Sequence, residues 1–239
     1  MPKEIGKRKL KDTGRQEKTY DVKRILFYEM YKTGEDPHVY DPYRIVGRLM
    51  DGDTEIYNFD IMWEPKSCLI NSDWISGSST IEKDISRMQS SKDAFEQFIS
   101  IFRKFCDYSL PHKRIVLCGF GNHNDDDILL KKWFLKHSEE WEYGKVFYPV
   151  TMDIMGSCSV FLIDVLDKIS GLDLAWAAGV AMKYVDISKM NDPVYRVEII
   201  YKLYKTRFCP AVHVHTMKFM DKNISRNSGK LNNLRRDNI

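Results

Sequence analysis

Three short apolar runs, separated by turn residues, most constrain what the first part of this chain can fold into. They are Val22 to Met30, Tyr43 to Met50 and Glu55 to Trp63. The second and third runs are joined by Asp51-Gly52-Asp53, and Asp-Gly between two β-rich runs is typical of a hairpin turn. The first run ends near Thr33-Gly34 and Asp36-Pro37, which are turn signals as well. The pattern predicts three antiparallel strands.

The rest of the chain alternates between helical and strand-like patterns. After the cap candidate Ser90, the apolar residues Phe95, Phe98, Ile99, Phe102 and Phe105 follow the 3.6-residue period of a helix. Further strands are predicted at Arg114 to Phe120 and Val146 to Ile154, and further helices at Asp125 to His137, 158–169, 172–181 and Pro193 to Tyr204. This order resembles the ribonuclease H-like α/β layout, a mixed sheet of three antiparallel strands and then parallel strands, flanked by helices.

Charge is distributed unevenly along the 239 residues. Residues 1–24 hold nine Lys/Arg against four Asp/Glu, and residues 202–239 hold nine against two. The net charge of the whole chain is only +3, so the stretch between these ends is acidic. We interpret 1–20 as a flexible basic arm, 21–208 as the folded domain and 209–239 as a basic polar tail. Such ends either contact a polyanion or simply keep the chain soluble.

Several classes of protein have no support in the sequence. No apolar run has the length of a membrane span, and the N-terminus is charged where a signal peptide is apolar. The five cysteines are scattered without CxxC spacing, which favours neither a disulfide framework nor a zinc ribbon. There is no motif for nucleotide hydrolysis, dinucleotide binding or serine hydrolysis. We therefore expect an intracellular protein, cytoplasmic or nuclear, that is not secreted and has no membrane partner.

The segment Ile25 to Pro37 resembles the first motif of the DEDD (DnaQ-like) superfamily of 3′-to-5′ exonucleases. In that motif a strand bearing Asp-x-Glu runs into Thr-Gly and then often Asp-Pro. Alignment on Thr33-Gly34 places Glu29 at the family's aspartate and Tyr31 at its glutamate. The resemblance implies that Thr33 belongs to the nucleic-acid-binding residues.

Residues 119–130 resemble the second motif, in which an asparagine precedes a Phe-Asp pair that opens a helix. Asn122 matches the asparagine and is implied to contact nucleic acid, and Asp127 matches the aspartate. Because Asp125 and Asp126 are adjacent, the register stays open by one or two residues.

Residues 191–204 resemble the helix of the third motif, which begins with a histidine and carries an aspartate after four further residues. Asn191 stands at the position of the histidine and Arg196 at that of the aspartate. Upstream, Ser170 to Val180 resembles the leucine- and alanine-rich helix that precedes this motif. The resemblance therefore covers residues 22–206.

The family mechanism, as the resemblance implies it, uses two divalent ions held by four carboxylates, with a histidine as general base. An active enzyme would take Mg²⁺ or Mn²⁺, which prefer oxygen ligands. In this chain Glu29 and Asp127 are left to hold at most one ion. Tyr31 is a poor ligand, and Arg196 exchanges an anion for a permanent cation. Asn191 cannot act as a base.

The leading hypothesis is therefore a pseudo-exonuclease, a nucleic-acid-binding or scaffolding subunit that holds DNA or RNA, including a 3′ end, without cutting it. One alternative is an active, divergent Mg/Mn-dependent 3′-to-5′ exonuclease. Its site would recruit neighbouring acids, the candidates being Asp125, Asp153, Asp192 and Glu198. The other alternative is a protein-interaction subunit of a larger complex. Trp74, in a polar loop, is the tryptophan expected to be exposed for base stacking.

Two histidine patterns have competing interpretations. Cys209, His213 and His215 form C-x3-H-x-H, which suits a metal ion if both histidines lie on a strand. No fourth ligand is evident, and an ordinary strand or loop explains the same residues. His123 lies beside acidic residues as a base would, although the turn of the second exonuclease motif accounts for the same string.

Overall fold

The computed structural model describes residues 24–65, 88–105, 114–138, 142–161, 173–182 and 184–208. Outside these ranges lie the predicted arm and tail, residues 162–169 of the helix predicted at 158–169, and four residues singled out in the sequence. Those four residues are Trp74, Cys209, His213 and His215. Within the described ranges, no helix is both long and apolar enough to cross a membrane.

In the described part of the chain, a five-stranded mixed sheet forms the centre of the fold. Its strands are β1 (Arg24–Lys32), β2 (Pro42–Asp51), β3 (Thr54–Met62), β4 (Val116–Gly119) and β5 (Met152–Asp153). They lie in the order β3-β2-β1-β4-β5. The first three strands pair antiparallel, whereas β4 runs parallel to both β1 and β5. This arrangement confirms the predicted fold class, including the ribonuclease H-like order of strands.

The turn between β2 and β3 is the hairpin expected from its sequence. Asp51 pairs with Thr54 at the end of the ladder. Gly52 has a φ of 60°, in the left-handed region that glycine adopts at little steric cost. The Asp-Gly dipeptide therefore reverses the chain between two strands that pair along most of their length.

Six α-helices flank the sheet in the described ranges. They are α1 (Ser91–Arg103), α2 (Asp126–His137), α3 (Glu142–Val146), α4 (Ile154–Phe161), α5 (Leu174–Ala181) and α6 (Pro193–Leu203), with a 3₁₀ turn at Ile187–Lys189 and a π-helical turn at Tyr204–Phe208. The cap predicted for α1 is present, because the Ser90 hydroxyl accepts a hydrogen bond from the backbone N–H of Asp93 at 3.1 Å.

The predicted strand from Val146 to Ile154 is wrong over most of its length. Val146 ends α3, Ile154 begins α4, and between them Phe147 makes an isolated parallel bridge to Ile115 and the two residues of β5 pair with β4. Pro149 interrupts the run, since proline has no N–H to donate to a ladder. The exposed Val150 follows it, so this part of the apolar run does not enter the sheet.

The two faces of the sheet are covered by different helices. Successive side chains of a strand point to opposite faces. Leu26, Tyr28 and Met30 therefore belong to one apolar cluster with residues of α1 and α2, in which Trp63 and Trp133 stack at 4.3 Å. Residues of α4, α5 and α6 pack with Phe27 on the other face. The same alternation directs the odd-numbered polar residues of β1 towards α6.

Candidate functional site

An open cleft of about 260 Å³ lies at the carboxyl ends of β1 and β4. β2 and β3 lie on one side of β1, and β4 and β5 lie on the other. Ligands of open α/β sheets bind outside the carboxyl ends of strands at such a switch point. The charged and hydroxyl side chains that line the cleft are Glu29, Tyr31, Lys32, Asp125, Asp126 and Arg196.

The closest contact in the cleft is an ion pair between β1 and α6. Arg196 Nε lies 2.9 Å from each carboxylate oxygen of Glu29, and Arg196 Nη2 lies 2.5 Å from Oε1. Burial opposes the charged guanidinium, but the hydrogen bonds and the charge of Glu29 outweigh it and raise the pKa of Arg196. Arg196 therefore remains a cation, and it engages both oxygens of Glu29.

Tyr31 completes the contacts of the Glu29 carboxylate. Its hydroxyl donates a hydrogen bond to Oε2 at 2.8 Å, and burial together with the Glu29 charge raises the pKa of Tyr31 far above neutrality. The guanidinium of Arg44 lies 5.9 Å from the centre of the Tyr31 ring and forms two hydrogen bonds with Asp60. Glu29 thus fixes the hydroxyl group of the neutral tyrosine, and Arg44 lies over its ring.

Asp126 is a carboxyl group of α2 that lines the cleft together with Glu29. It is the first residue of α2, and its Oδ1 accepts a hydrogen bond from the backbone N–H of Met30 at 3.1 Å. β4 pairs with β1 only as far as Phe27. Beyond that point the Asp126 carboxylate, and not a strand, accepts the hydrogen bond from β1. Burial, and then the charge of Glu29, raise the pKa of Asp126 well above its ordinary value. The environment therefore favours the protonated carboxyl group.

Asp127, the predicted partner of Glu29, points away from the cleft. Its hydrogen-bond partners are Tyr28 Oη, Thr151 Oγ1 at 2.6 Å, His123 Nδ1 at 3.1 Å and Asn122 Nδ2 at 3.4 Å. Tyr28 lies on the face of β1 that packs against α1 and α2. Consecutive helical residues are rotated by about 100° about the axis. The structure thus places Asp126 beside Glu29, and it places His123 with Asp127 outside the cleft.

The other residues predicted from the motifs lie apart from the cleft lining. Asn191 is exposed in the turn before α6. Thr33 is buried, and its backbone N–H and hydroxyl both contact the carbonyl oxygen of Asp41, which closes the loop between β1 and β2. Asn122 is fully buried against Gly119, where a Cβ atom would lie 2.7 Å from that of Asn122.

Of the four acids considered for a rearranged site, Asp125 alone lines the cleft. Asp153 accepts hydrogen bonds from backbone N–H groups at the start of α4 and in the turn after β4. Asp192 caps α6, and Glu198 pairs with Lys202 along that helix. Within the part of the chain that the structure describes, no group of three or more His, Cys, Asp and Glu is arranged to hold a metal ion.

Sequence reasoning missed the contribution of Lys32. Its Nζ lies 2.6 Å from Oδ1 of Asp125, which forms a second ion pair in the cleft. The signal was present, because Lys32 directly follows Tyr31 and lies at the end of the strand that carries Glu29. The motif as aligned specifies no residue at that position, so alignment alone assigned it no role.

No family model matches the chain, and none of the curated proteins matches its sequence. Its fold is similar to that of solved exonuclease I structures. The Escherichia coli enzyme in complex with a dA16 oligonucleotide has a TM-score of 0.58 at 14% identity, covering 77% of this chain and 41% of that chain. The zinc-bound E. coli enzyme with single-stranded DNA gives 0.56 at 15% identity, with 77% and 40% covered. The chain thus spans about two fifths of these proteins, and the likeness shows an exonuclease-like fold.

Proposed function

We propose that this protein is a nucleic-acid-binding or scaffolding subunit, a degenerate member of the DEDD exonuclease superfamily. It holds a DNA or RNA strand, including a 3′ end, without cutting it. Two independent features support this proposal. The fold is similar to that of exonuclease I bound to single-stranded DNA, and three motifs of the superfamily are recognisable in order along the chain.

The observation that carries the proposal is the charge balance of the cleft. Among the residues that the structure describes, the three acidic side chains of its lining are each compensated by the protein itself. Arg196 engages both oxygens of Glu29, and Lys32 pairs with Asp125. Burial of Asp126 favours its protonated form. The cleft therefore reaches neutrality with its own side chains.

This donor set does not fit a two-metal centre. Mg²⁺ and Mn²⁺ require several oxygen ligands, most of them anionic or water, in a nearly octahedral array. A divalent ion at Glu29 would have to displace a guanidinium that makes three N–O contacts of 2.9 Å or less. Asn191 is exposed and lies off the cleft lining, so it supplies no base there. We therefore derive no cleavage step for this site.

A neutral cleft suits the retention of a strand. A cluster of uncompensated carboxylates repels phosphate unless a metal ion lies between them, because like charges at short range are unfavourable in a partly buried site. Here that repulsion is removed by the cations of β1 and α6. The basic ends predicted from the sequence would add phosphate contacts outside the cleft.

The test uses the full chain with 5′-labelled single-stranded DNA and RNA of the same base sequence. We expect binding by fluorescence anisotropy to be unchanged by EDTA, and no shortening of either strand in Mg²⁺ or Mn²⁺. Metal-dependent shortening that Glu29→Gln or Asp126→Asn abolishes would establish the active exonuclease instead. Failure to bind either strand would favour the protein-interaction subunit.

A further inference from the structure

We propose that the Lys32 ammonium group is a phosphate-binding group of the cleft, and that the Asp125 carboxylate occupies it as a placeholder. A backbone phosphate of the bound strand would displace Asp125 and take its place on Lys32. This inference rests on the proposed function and names the chemical group that the cleft recognises.

Lys32 is held in the cleft by the end of β1. The pairing of β1 with β2 shifts register between Tyr31 and Lys32, so that Tyr31 is opposite Arg44 but Lys32 is opposite Pro42. The Lys32 side chain is only 12% exposed, and it lines the cleft. A nearly buried ammonium group requires a counter-charge. In the structure that counter-charge is Asp125, whose Oδ1 lies 2.6 Å away.

Asp125 is in a position to leave Lys32. Its side chain is 47% exposed, and it stands at the N-cap of α2 without making the side-chain cap hydrogen bond. Aspartate is a favoured N-cap because its carboxylate accepts a backbone N–H of the first helical turn. Asp173 and Asp192 make such bonds at α5 and α6, with N–O distances of 2.7 and 3.0 Å. Both of those residues have extended backbones, whereas Asp125 has φ −129° and ψ −70°. The Asp125 carboxylate therefore makes no cap hydrogen bond that its departure from Lys32 would break.

The two ion pairs of the cleft differ in how easily they exchange. Arg196 donates hydrogen bonds to both oxygens of Glu29, whose side chain is only 10% exposed, so this carboxylate is not readily exchanged for a phosphate. The contact between Lys32 and Asp125 involves one carboxylate oxygen and a half-exposed partner. Exchange of the Asp125 carboxylate for a phosphate replaces one anion with another, so no uncompensated charge is left beside Lys32. The geometry thus favours Lys32 as the cation available to a strand.

The experiment measures binding of single-stranded DNA and RNA by Lys32→Met, Asp125→Ser and the control Lys136→Met as a function of salt. Serine at 125 removes the competing anion but keeps an oxygen that can cap α2. Lys136→Met removes the same charge from an exposed position in the last turn of α2.

We expect Lys32→Met to weaken binding roughly tenfold, as loss of a hydrogen bond to a charged group does. It should also reduce the slope of log affinity against log salt by about 0.7, the value for one phosphate contact on a single strand. Asp125→Ser should strengthen binding, and Lys136→Met should change neither quantity. A difference in affinity between the DNA and the RNA strand would identify which of the two nucleic acids supplies the bound phosphate.

The opposite signs of the two variants separate a phosphate site from a structural ion pair. A structural pair predicts that both variants weaken binding or that neither affects it. Either result, with a wild type that binds, would overturn this inference and leave the proposed function standing. If the wild type binds neither strand, the proposed function itself fails. Should Lys32→Met unfold, Asp125→Ser is compared with Glu198→Gln, which removes the same charge outside the cleft lining. Displacement of a competing anion predicts tighter binding for Asp125→Ser alone, whereas a general charge effect predicts it for both.

Discussion

The Glu29–Arg196 ion pair can be dissected with three variants, Glu29→Gln, Arg196→Met and the two combined. The pair joins β1 to α6 across the cleft, so its loss should lower the free energy of unfolding. The expected result depends on which charge is left behind, because a buried charge without a partner is far more costly than a solvated one.

The magnitudes follow from the exposure of the two side chains. Removing one partner of a buried pair costs about 3–5 kcal/mol. Arg196→Met leaves a carboxylate that is 10% exposed, with the Tyr31 hydroxyl beside it, and we expect a loss of about 3 kcal/mol. Arg196 is 31% exposed, so after Glu29→Gln it can reach water, and we expect about 1 kcal/mol. The double variant leaves no charge, and its loss should also be about 1 kcal/mol.

The assay is urea denaturation near pH 7.5, followed by far-ultraviolet circular dichroism, with unchanged m-values as the condition for comparison. Arg196→Met should lower the melting temperature by about 6–12 °C for a chain of this size. The control is Lys202→Met, which breaks an exposed pair with Glu198 on the same helix and should cost less than about 1 kcal/mol. An Arg196→Met variant no less stable than this control, or a double variant less stable than Arg196→Met, would refute the charge-balance reasoning.

Two further predictions concern single residues near the cleft and in the sheet. The pKa of Asp126 is raised in the folded protein, so the wild type should lose stability as the pH rises above about 4 and through the folded pKa. Asp126→Asn keeps an acceptor for the Met30 N–H but cannot titrate, so its stability relative to wild type should increase between pH 4 and 8 in denaturation experiments. Gly47→Ala would place a Cβ 2.3 Å from the Phe59 ring, and thermal unfolding should show a loss of about 1–3 kcal/mol. Gly144→Ala, where the new Cβ meets no atom within 4 Å, should show no such loss.

Most of the sheet could be predicted from the sequence because local signals there agree with one another. β1 to β3 combine apolar runs with turn residues, and the Asp-Gly turn between β2 and β3 adopts the conformation that its glycine permits. β5 could not be predicted at its true length. Its two residues are set by pairing with β4, whereas the apolar run around them is divided between α3, Pro149 and α4.

The candidate site was only partly accessible to sequence reasoning. The motif alignment singled out Glu29, Tyr31 and Arg196, and the structure brings these three side chains into direct contact. The alignment placed the family's aspartate at Asp127 and left the register open over Asp125 and Asp126, because spacing within a loop does not fix the rotation of the helix that follows. That rotation is set by the apolar residues of α2 that pack in the core.

The compensating groups of the cleft come from three different elements, and this determines how many substitutions would be needed to turn it into a metal centre. Arg196 comes from α6 and Lys32 from β1, and burial of the first turn of α2 raises the pKa of Asp126. Removal of one of these leaves the other two in place, so a single substitution does not recreate a cluster of ionised carboxylates. Tyr31 would still stand where the family has an acid. Recovery of two-metal chemistry would therefore require changes on several elements at once, whereas the proposed strand binding uses the cleft with its charges compensated as they are.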